Sequence, residues 1–213
     1  MKNKNINIDF KDKKYGNTVL IYATTYKLKK SVKALLENGA NPNLFDNYDK
    51  ESAFVQAIEN QSIYSKKKCN QCDSDIIELM IKYRADVNTI VKTNKGYGYS
   101  ILQLACENGC LNIVEKLVEN GADINKSIDG AGNCAILSAL IQDNLDIVKY
   151  LIIDKKAKVP KVLFKRVTNE DDDKNGEIVT VESLLIEKDY SDNLKNEKLK
   201  KEILEYIRPP TKR

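Results

Sequence analysis

The sequence predicts an all-α array of about four helix-turn-helix units, and three observations support this fold class. A hexapeptide that opens with a small residue recurs four times, beginning at Thr18, Ser52, Ser100 and Cys134. Each hexapeptide is followed by a second apolar segment with helical periodicity and then by a polar link. The spacing is 34 residues both from Thr18 to Ser52 and from Ser100 to Cys134. Self-similarity at a period of this length is typical of stacked repeats.

Each unit has the same predicted anatomy. The small residue caps a short first helix, an apolar pair faces inward, and an alanine lets the neighbouring unit approach. Gly39 and Gly121 close the second helices of two units, where a left-handed backbone favours glycine. Arg84 stands at this place in the second unit, which would cost about 1 kcal/mol if its backbone is left-handed. We therefore predict that the second unit is the least stable.

The predicted units have defined bounds. They cover residues 9–43, 44–88, 89–125 and 126–159. The second unit contains an insertion at residues 62–73, because Ser52 and Ser100 are 48 residues apart, and we expect a mobile loop there. Residues 160–207 are predicted to form a degenerate repeat and a helical cap, with helices over 181–188 and 192–207, and residues 208–213 a tail. A terminal unit with one polar face is what a repeat array needs.

The third unit carries the most specific motifs. Its first helix contains Leu104-Ala105-Cys106-Glu107-Asn108-Gly109, and its second ends in Glu119-Asn120-Gly121-Ala122-Asp123-Ile124-Asn125. With the period, these motifs resemble the ankyrin repeat over roughly residues 9–159, although no unit keeps the proline or the histidine of the family's Thr-Pro-Leu-His frame. The resemblance implies a solenoid whose concave face, built from first helices and the finger loops before them, binds a partner protein.

The resemblance also implies which side chains face that partner. They lie one, three and four residues before the Thr position, and seven and eight residues after it. Our candidate partner-binding residues are Tyr15, Tyr26, Tyr48, Asp49, Glu59, Tyr97, Tyr99, Glu107, Asn108, Asn133 and Gln142. The same positions also hold Lys14, Asn17, Thr25, Glu51, Asn60, Gly96, Gly130, Ala131 and Ile141.

Tyrosine is frequent on this predicted strip. Five of the eleven tyrosines occupy it, and tyrosine is enriched at the energetic centres of protein interfaces. The alternative is that the finger tyrosines pack against their own loops. Lys14, Lys92 and Lys95 beside them would suit an acidic partner. A protein partner is therefore expected, which the chain would hold as an adaptor, an inhibitor or an effector.

Two motifs raise a metal-linked alternative. Asp171-Asp172-Asp173-Lys174-Asn175-Gly176, followed by Glu182, fits the spacing of an EF-hand calcium loop, although no second loop is present to pair with it. Cys69-Asn70-Gln71-Cys72 could be half of a zinc site or a redox pair, but no second such motif exists. We favour structural roles for both, and expect Cys106 and Cys134 to be small buried residues.

Composition argues against several other classes. The chain has no histidine, which removes the usual general base and the commonest zinc ligand, so we expect neither an enzyme nor a cofactor. A net charge of +4 with interleaved signs does not favour nucleic acid. The apolar runs are too short to span a bilayer and the polar N-terminus lacks a signal-peptide core, so we expect a cytosol-like compartment, or delivery into the cytosol of another cell. We expect the isolated chain to be monomeric.

Overall fold

A computed structural model of the protein describes residues 6–47, 51–61, 74–92, 98–127, 134–166, 177–189 and 193–208. The predicted all-α class is confirmed, since these residues form ten α-helices and only two short β-hairpins. The predicted insertion at residues 62–73 lies outside the described part. The chain divides into two compact units, Met1–Ala122 and Asp123–Arg213, and each is described by itself.

The first unit contains three stacked helix pairs. In chain order the elements are α1 Val19–Thr25, α2 Lys29–Glu37, α3 Ala53–Glu59, α4 Asp75–Lys82, β1 Ile90–Lys92, β2 Gly98–Ser100, α5 Ile101–Asn108 and α6 Leu111–Glu119. The first helices of the three pairs pack side by side, with α3 against both α1 and α5, and each second helix packs behind its own first helix. An antiparallel hairpin of β1 and β2 precedes α5 and pairs Val91 with Tyr99.

The hydroxyl caps begin the first helices as predicted. The Thr18 hydroxyl accepts a hydrogen bond from the Ile21 amide at 3.2 Å, and Ser52 makes the equivalent contact in α3. Ser100 forms a full capping box, because the Gln103 side chain also accepts from the Ser100 amide at 2.8 Å. All three caps are buried. A buried hydroxyl needs such a partner, so each cap fixes where its helix starts and satisfies its own polar atom.

The second helices close through a left-handed residue. Gly39 and Gly121 adopt φ angles of 88° and 91°, and Arg84 adopts a φ of 66° at the equivalent place. In each case the next residue, always alanine, donates its amide to a carbonyl five residues back, as Ala85 does to Met80 at 2.9 Å. The Arg84 backbone is therefore left-handed, which is the condition under which its side chain was expected to cost stability. That the second repeat is the least stable stays a prediction.

A ladder of side-chain amides joins the tips of successive repeats. The Asn43 side chain donates Nδ2–H to the Arg84 carbonyl at 2.9 Å and accepts from the Asp86 amide at 2.8 Å. Asn88 donates likewise to the Gly121 carbonyl at 3.0 Å. These contacts satisfy the polar backbone at the end of each second helix. The asparagines that follow the closing residue of one repeat therefore bind the backbone at the end of the next repeat, and so link the two repeats.

The second unit repeats the plan with two helix pairs. The elements are α7 Ala135–Ile141, α8 Leu145–Lys149, a π-helical turn Tyr150–Asp154, β3 Phe164–Arg166, β4 Glu177–Val179, α9 Val181–Glu187 and α10 Leu194–Ile207. Helix α9 packs against α7 and α10 packs against α8. The hairpin of β3 and β4 precedes α9, as the hairpin of β1 and β2 precedes α5. Thr180 caps α9 with a capping box to Ser183. Both C-terminal helices predicted from the sequence are present.

The π-helical turn accommodates one extra residue. The left-handed residue of this repeat, Lys156, follows its capping position by one residue more than Gly121 follows Ser100. Accordingly Ala157 donates its amide six residues back, to Leu151 at 2.8 Å, rather than five. A π-bulge is the usual way for a helix to absorb a single insertion. The repeat therefore keeps its closing turn in register.

Two cysteines occupy ordinary repeat positions. Cys106 and Cys134 are both buried, as predicted. Cys134 is the capping residue of α7, but it makes no side-chain cap hydrogen bond. Helix α7 therefore starts without the side-chain cap hydrogen bond that Thr18, Ser52 and Ser100 supply to their own helices.

Candidate functional site

The first finger is organised by one carboxylate. Asp12 accepts backbone hydrogen bonds from Lys14, Tyr15 and Asn17 at 2.7 to 2.8 Å. It also accepts from the Tyr22 hydroxyl at 3.2 Å. These donors, with the Tyr15 amide the strongest, lower the pKa of the Asp12 carboxyl. The ionised carboxylate therefore holds the loop in a defined turn at neutral pH.

Two predicted partner-binding tyrosines project from the first repeat. Tyr15 lies at the finger tip, 41% exposed, with the Lys14 ammonium 4.6 Å from its ring centre. Tyr26 follows helix α1 and is 70% exposed. The Tyr15 backbone is fixed by Asp12 and by the Asn47 amide, which donates to its carbonyl at 2.9 Å. A rigid finger thus presents an exposed aromatic ring, which suits binding.

The most organised group of predicted residues surrounds Tyr99. This tyrosine lies in β2, and its half-buried hydroxyl donates a hydrogen bond to Glu59 at the end of α3. Glu51 and Glu107 lie close enough to act on it electrostatically. Burial, the three carboxylates and the hydrogen bond raise the pKa of the Tyr99 hydroxyl to about 12. We refer to Tyr99, Glu51, Glu59 and Glu107 as the Tyr99 patch.

The four residues of the Tyr99 patch come from different segments of the second and third repeats. Glu51 lies in the finger before α3, Glu59 ends α3, and Glu107 lies in α5. The Gln56 side chain donates a hydrogen bond to Glu51. The structure therefore brings together Glu59, Tyr99 and Glu107 from the candidate set, and adds Glu51, which the position rule contained. Glu51, Glu59 and Glu107 therefore place three carboxylates around the Tyr99 hydroxyl.

Asn108, also a predicted partner-binding residue, joins neighbouring repeats. Its Nδ2 donates to the Ile58 carbonyl at 2.9 Å. Asn60, at the same place in the preceding repeat, donates to the Thr24 carbonyl at 3.2 Å. The Asn108 side chain thus satisfies the end of α3 next to Glu59, which gives it a structural contribution whatever else it contacts.

The remaining candidates are distributed differently. Gln142 lies in the second unit, exposed at the end of α7. Tyr48, Asp49, Tyr97 and Asn133 lie outside the described residues. The ladder residues Asn43 and Asn88 were not singled out from the sequence. In the first three repeats an Asx-x-Asn tripeptide begins two residues after the closing residue, and this pattern is the signal that could have found them.

Comparison with known families matches this repeat architecture. A family described as "Ankyrin repeat" matches residues 15–47, and one described as "Ankyrin repeats (3 copies)" matches residues 67–162. Together the two matches cover more than half of the chain. The chain belongs to the ankyrin-repeat family. Ankyrin repeats are generally protein–protein interaction modules, and the family is typically non-catalytic.

Two curated proteins are similar to this ankyrin-repeat chain. It is 24% identical over 151 residues to the nuclear factor NF-kappa-B p105 subunit of Gallus gallus, covering 71% of this chain and 14% of that protein. It is 28% identical over 145 residues to the ankyrin repeat protein L371 of Acanthamoeba polyphaga mimivirus, covering 68% of this chain and 17% of that protein. The chain therefore spans less than a fifth of the length of either relative.

The metal-linked motifs of this ankyrin-repeat protein fall mainly outside the described residues, which exclude 69–72 and 171–176. Glu182, the last position of the calcium-like spacing, lies in the first turn of α9 and pairs with the Arg208 guanidinium at 2.9 Å. Within the described residues, no group of three or more His, Cys, Asp or Glu side chains could hold a metal ion. Among the described helices, none has both the length and the apolar character to cross a membrane.

Proposed function

We propose that this protein binds a partner protein through the first unit, with the Tyr99 patch as the centre of the contact. The observation that carries the proposal is the patch itself: a half-buried tyrosine held by Glu59 at predicted partner-facing positions. A tyrosine fixed in this way offers a large contact area without losing much side-chain entropy on binding. Tyr15 and Tyr26 extend the same predicted strip.

We further propose that the partner segment over the Tyr99 patch is basic. Glu51, Glu59 and Glu107 give that part of the strip negative charge, whereas Lys14 lies beside Tyr15 at the first finger. A lysine or arginine of the partner would gain a charged contact and stack on the exposed part of the Tyr99 ring. An acidic partner, which the sequence suggested from Lys14, Lys92 and Lys95, would instead contact the first finger, where Lys14 lies beside Tyr15.

The role is that of a stoichiometric binder, as an adaptor, an inhibitor or an effector in a cytosol-like compartment. The test begins with a pull-down from cell lysate, using the intact chain and a variant with Tyr99→Ala and Glu59→Lys. A matched control carries Tyr206→Ala and Glu197→Lys on α10, at positions that are not among the predicted partner-facing ones. Circular dichroism confirms that all three baits are equally folded.

The expected result is a protein retained by the intact and control baits and lost from the patch variant. Titration calorimetry with that purified protein should then show binding that weakens as salt rises, because exposed charge contacts are screened. Equal retention by all three baits would place the interface elsewhere. An affinity that does not change at high salt would contradict the proposal that the partner segment over the Tyr99 patch is basic.

The metal-linked alternative has its own test. Thermal unfolding is measured with calcium, with zinc and with chelator, and bound metal is quantified after dialysis. A shift in unfolding temperature that Asp171→Asn or Cys69→Ser abolishes would favour this alternative. An unfolding temperature that is the same with calcium, with zinc and with chelator would contradict the metal-linked alternative.

A further inference from the structure

Cys110 is a buried cysteine to which the proposed function assigns no role. It directly precedes helix α6, at the turn from α5, and its side chain is 1% exposed. Its sulfur is part of a disulfide. Cys110 therefore differs from Cys106 and Cys134, which are buried thiols.

The cysteine content of the chain limits which sulfur can pair with Cys110. The chain has five cysteines, and Cys106 and Cys134 are thiols. Within the chain, only Cys69 and Cys72 of the Cys-x-x-Cys motif are left to form this disulfide. The motif itself lies outside the described residues. A disulfide to Cys110 uses one motif cysteine and leaves the other three positions away in sequence.

A third cysteine beside a disulfide permits thiol–disulfide exchange. The thiolate of the second motif cysteine attacks the motif sulfur that is bonded to Cys110. A disulfide forms within the motif, the bond to Cys110 breaks, and the Cys110 thiolate leaves and takes up a proton. The proton that the attacking cysteine lost balances the one that Cys110 gains, and no electrons enter or leave. The step therefore needs no external oxidant or reductant.

The position of Cys110 connects its disulfide to the Tyr99 patch. Glu107 and Asn108 precede Cys110 by three and two residues. The Asn108 side chain donates to the Ile58 carbonyl at 2.9 Å, and Ile58 is the neighbour of Glu59 in α3. A bond at the Cys110 sulfur therefore restrains the segment that carries one carboxylate of the patch and that contacts the chain beside another.

The two ends of the disulfide belong to different repeats. Cys110 directly precedes the second helix of the third repeat, whereas the motif belongs to the predicted insertion of the second repeat. The two positions are 41 or 38 residues apart, depending on which motif cysteine is bonded. A crosslink over such a span restricts the unfolded chain and so stabilises the folded one. In a cytosol-like compartment, which we expect for this chain, disulfides are usually transient and serve catalysis or redox sensing.

We propose that Cys110 and the motif cysteines Cys69 and Cys72 form a three-cysteine switch. A disulfide from Cys110 to one motif cysteine exchanges for the disulfide within the motif. While the Cys110 disulfide is in place, the second and third repeats are joined covalently and the segment beside the Tyr99 patch is restrained. After the exchange this link is lost. The effect on partner binding rests on the function proposed above, whereas the exchange itself does not.

The first experiment maps the disulfides of the purified chain. The chain is equilibrated in glutathione buffers with increasing ratios of the oxidised to the reduced form. Thiols are then blocked with N-ethylmaleimide, and a non-reducing digest is analysed by mass spectrometry. The variants are Cys110→Ser, Cys69→Ser and Cys72→Ser. Cys134→Ser is the matched control, since Cys134 is a buried thiol.

The wild type and Cys134→Ser should contain both a disulfide from Cys110 to the motif and a disulfide within the motif. The ratio of these two forms should stay constant across the buffers, because their exchange is redox-neutral. Cys110→Ser should contain only the disulfide within the motif. The proposal is overturned if Cys110 forms no disulfide, if it pairs outside the motif, or if only one of the two forms is ever present. Bound zinc that Cys110→Ser loses would also overturn it, because Cys110 would then be a metal ligand.

Thermal unfolding gives a second readout. Reduction with dithiothreitol should lower the unfolding temperature of the wild type by roughly 5 to 10 °C, because the long crosslink is lost. The unfolding temperature of Cys110→Ser should change much less, because a disulfide within the motif closes only a short loop. Equal changes in the two chains would contradict a crosslink between repeats.

Control of partner binding is tested with the protein that the pull-down identifies. Its affinity should fall when the wild type is reduced and should stay constant when Cys110→Ser is reduced. Equal affinity for oxidised and reduced wild type would contradict this control. The disulfide map involves no partner, so it can fail or succeed independently of the pull-down with the Tyr99 variant.

Discussion

The Tyr99 hydroxyl donates a hydrogen bond to the Glu59 carboxylate, and this contact joins the finger of one repeat to the first helix of the repeat before it. The two residues are 40 positions apart in sequence. They meet because α3 and α5 pack side by side and β2 leads directly into α5. The bond therefore ties a predicted partner-facing tyrosine to the stacking of the repeats.

The raised pKa of Tyr99 predicts a stability change in alkaline solution. The pKa of Tyr99 in the folded chain is about 12, whereas the pKa of an unfolded tyrosine is about 10. Below about pH 10 both states are protonated, and stability then falls as pH rises towards 12 because the unfolded chain loses its proton first. Urea unfolding at about pH 9 and about pH 11 should show a larger loss for the wild type than for Tyr99→Phe.

Glu59→Gln is the control for that measurement. It keeps Tyr99 but removes one of the charges that hold its proton, so an absorbance titration of tyrosinate should give an intermediate result. If the wild type and Tyr99→Phe lose equal stability between the two pH values, the Tyr99 hydroxyl does not sit in the environment described.

Arg84→Gly is expected to stabilise the chain by about 0.5 to 1 kcal/mol. Arg84 holds a left-handed φ of 66°, which glycine adopts without a Cβ penalty. The free energy of unfolding is measured with urea. Gly121→Ala is the opposite change and serves as the control. No atom lies within 4 Å of the added Cβ, so the loss of stability should come only from holding alanine in a left-handed backbone conformation. Stability that falls in Arg84→Gly would mean that the arginine side chain contributes more than its conformation costs.

Asn43→Ala should lower the free energy of unfolding by about 1 to 2 kcal/mol, because it removes both hydrogen bonds to the next repeat tip. Asn38→Ala is the comparison, since Asn38 bonds only one turn back within its own helix, to the Ala34 carbonyl at 2.8 Å. Hydrogen exchange should show faster opening near Asp86 in Asn43→Ala alone. Equal effects from both variants would show that the ladder adds nothing to repeat coupling.

Cys134→Thr should raise the free energy of unfolding by about 1 kcal/mol. Cys134 makes no side-chain cap bond to α7, whereas Thr18 caps α1 through its hydroxyl. Cys134→Ala is the control, because it offers no cap acceptor and should not stabilise. A threonine variant no more stable than the alanine variant would mean that the buried site cannot place the hydroxyl toward the helix.

The local structure of each repeat follows from its own residues. Hydroxyl caps, apolar stripes and closing residues act within one repeat, so the helices around Thr18, Ser52 and Ser100 could be placed from spacing alone. The left-handed turn at Arg84 was predictable for the same reason, since glycine occupies its place in two other repeats. The two C-terminal helices also followed from their apolar periodicity.

The contacts between side chains of different repeats could not be predicted in this way, because they depend on the tertiary packing. The contact between Tyr99 and Glu59, the use of Asn108 to satisfy the Ile58 carbonyl, and the ladder through Asn43 all depend on how far one repeat shifts against the next. That shift arises from packing between first helices and has no signature in a single repeat. The exposed Val19 is likewise visible only by comparison with the buried first residues of α3 and α5, because burial depends on a neighbour rather than on the residue.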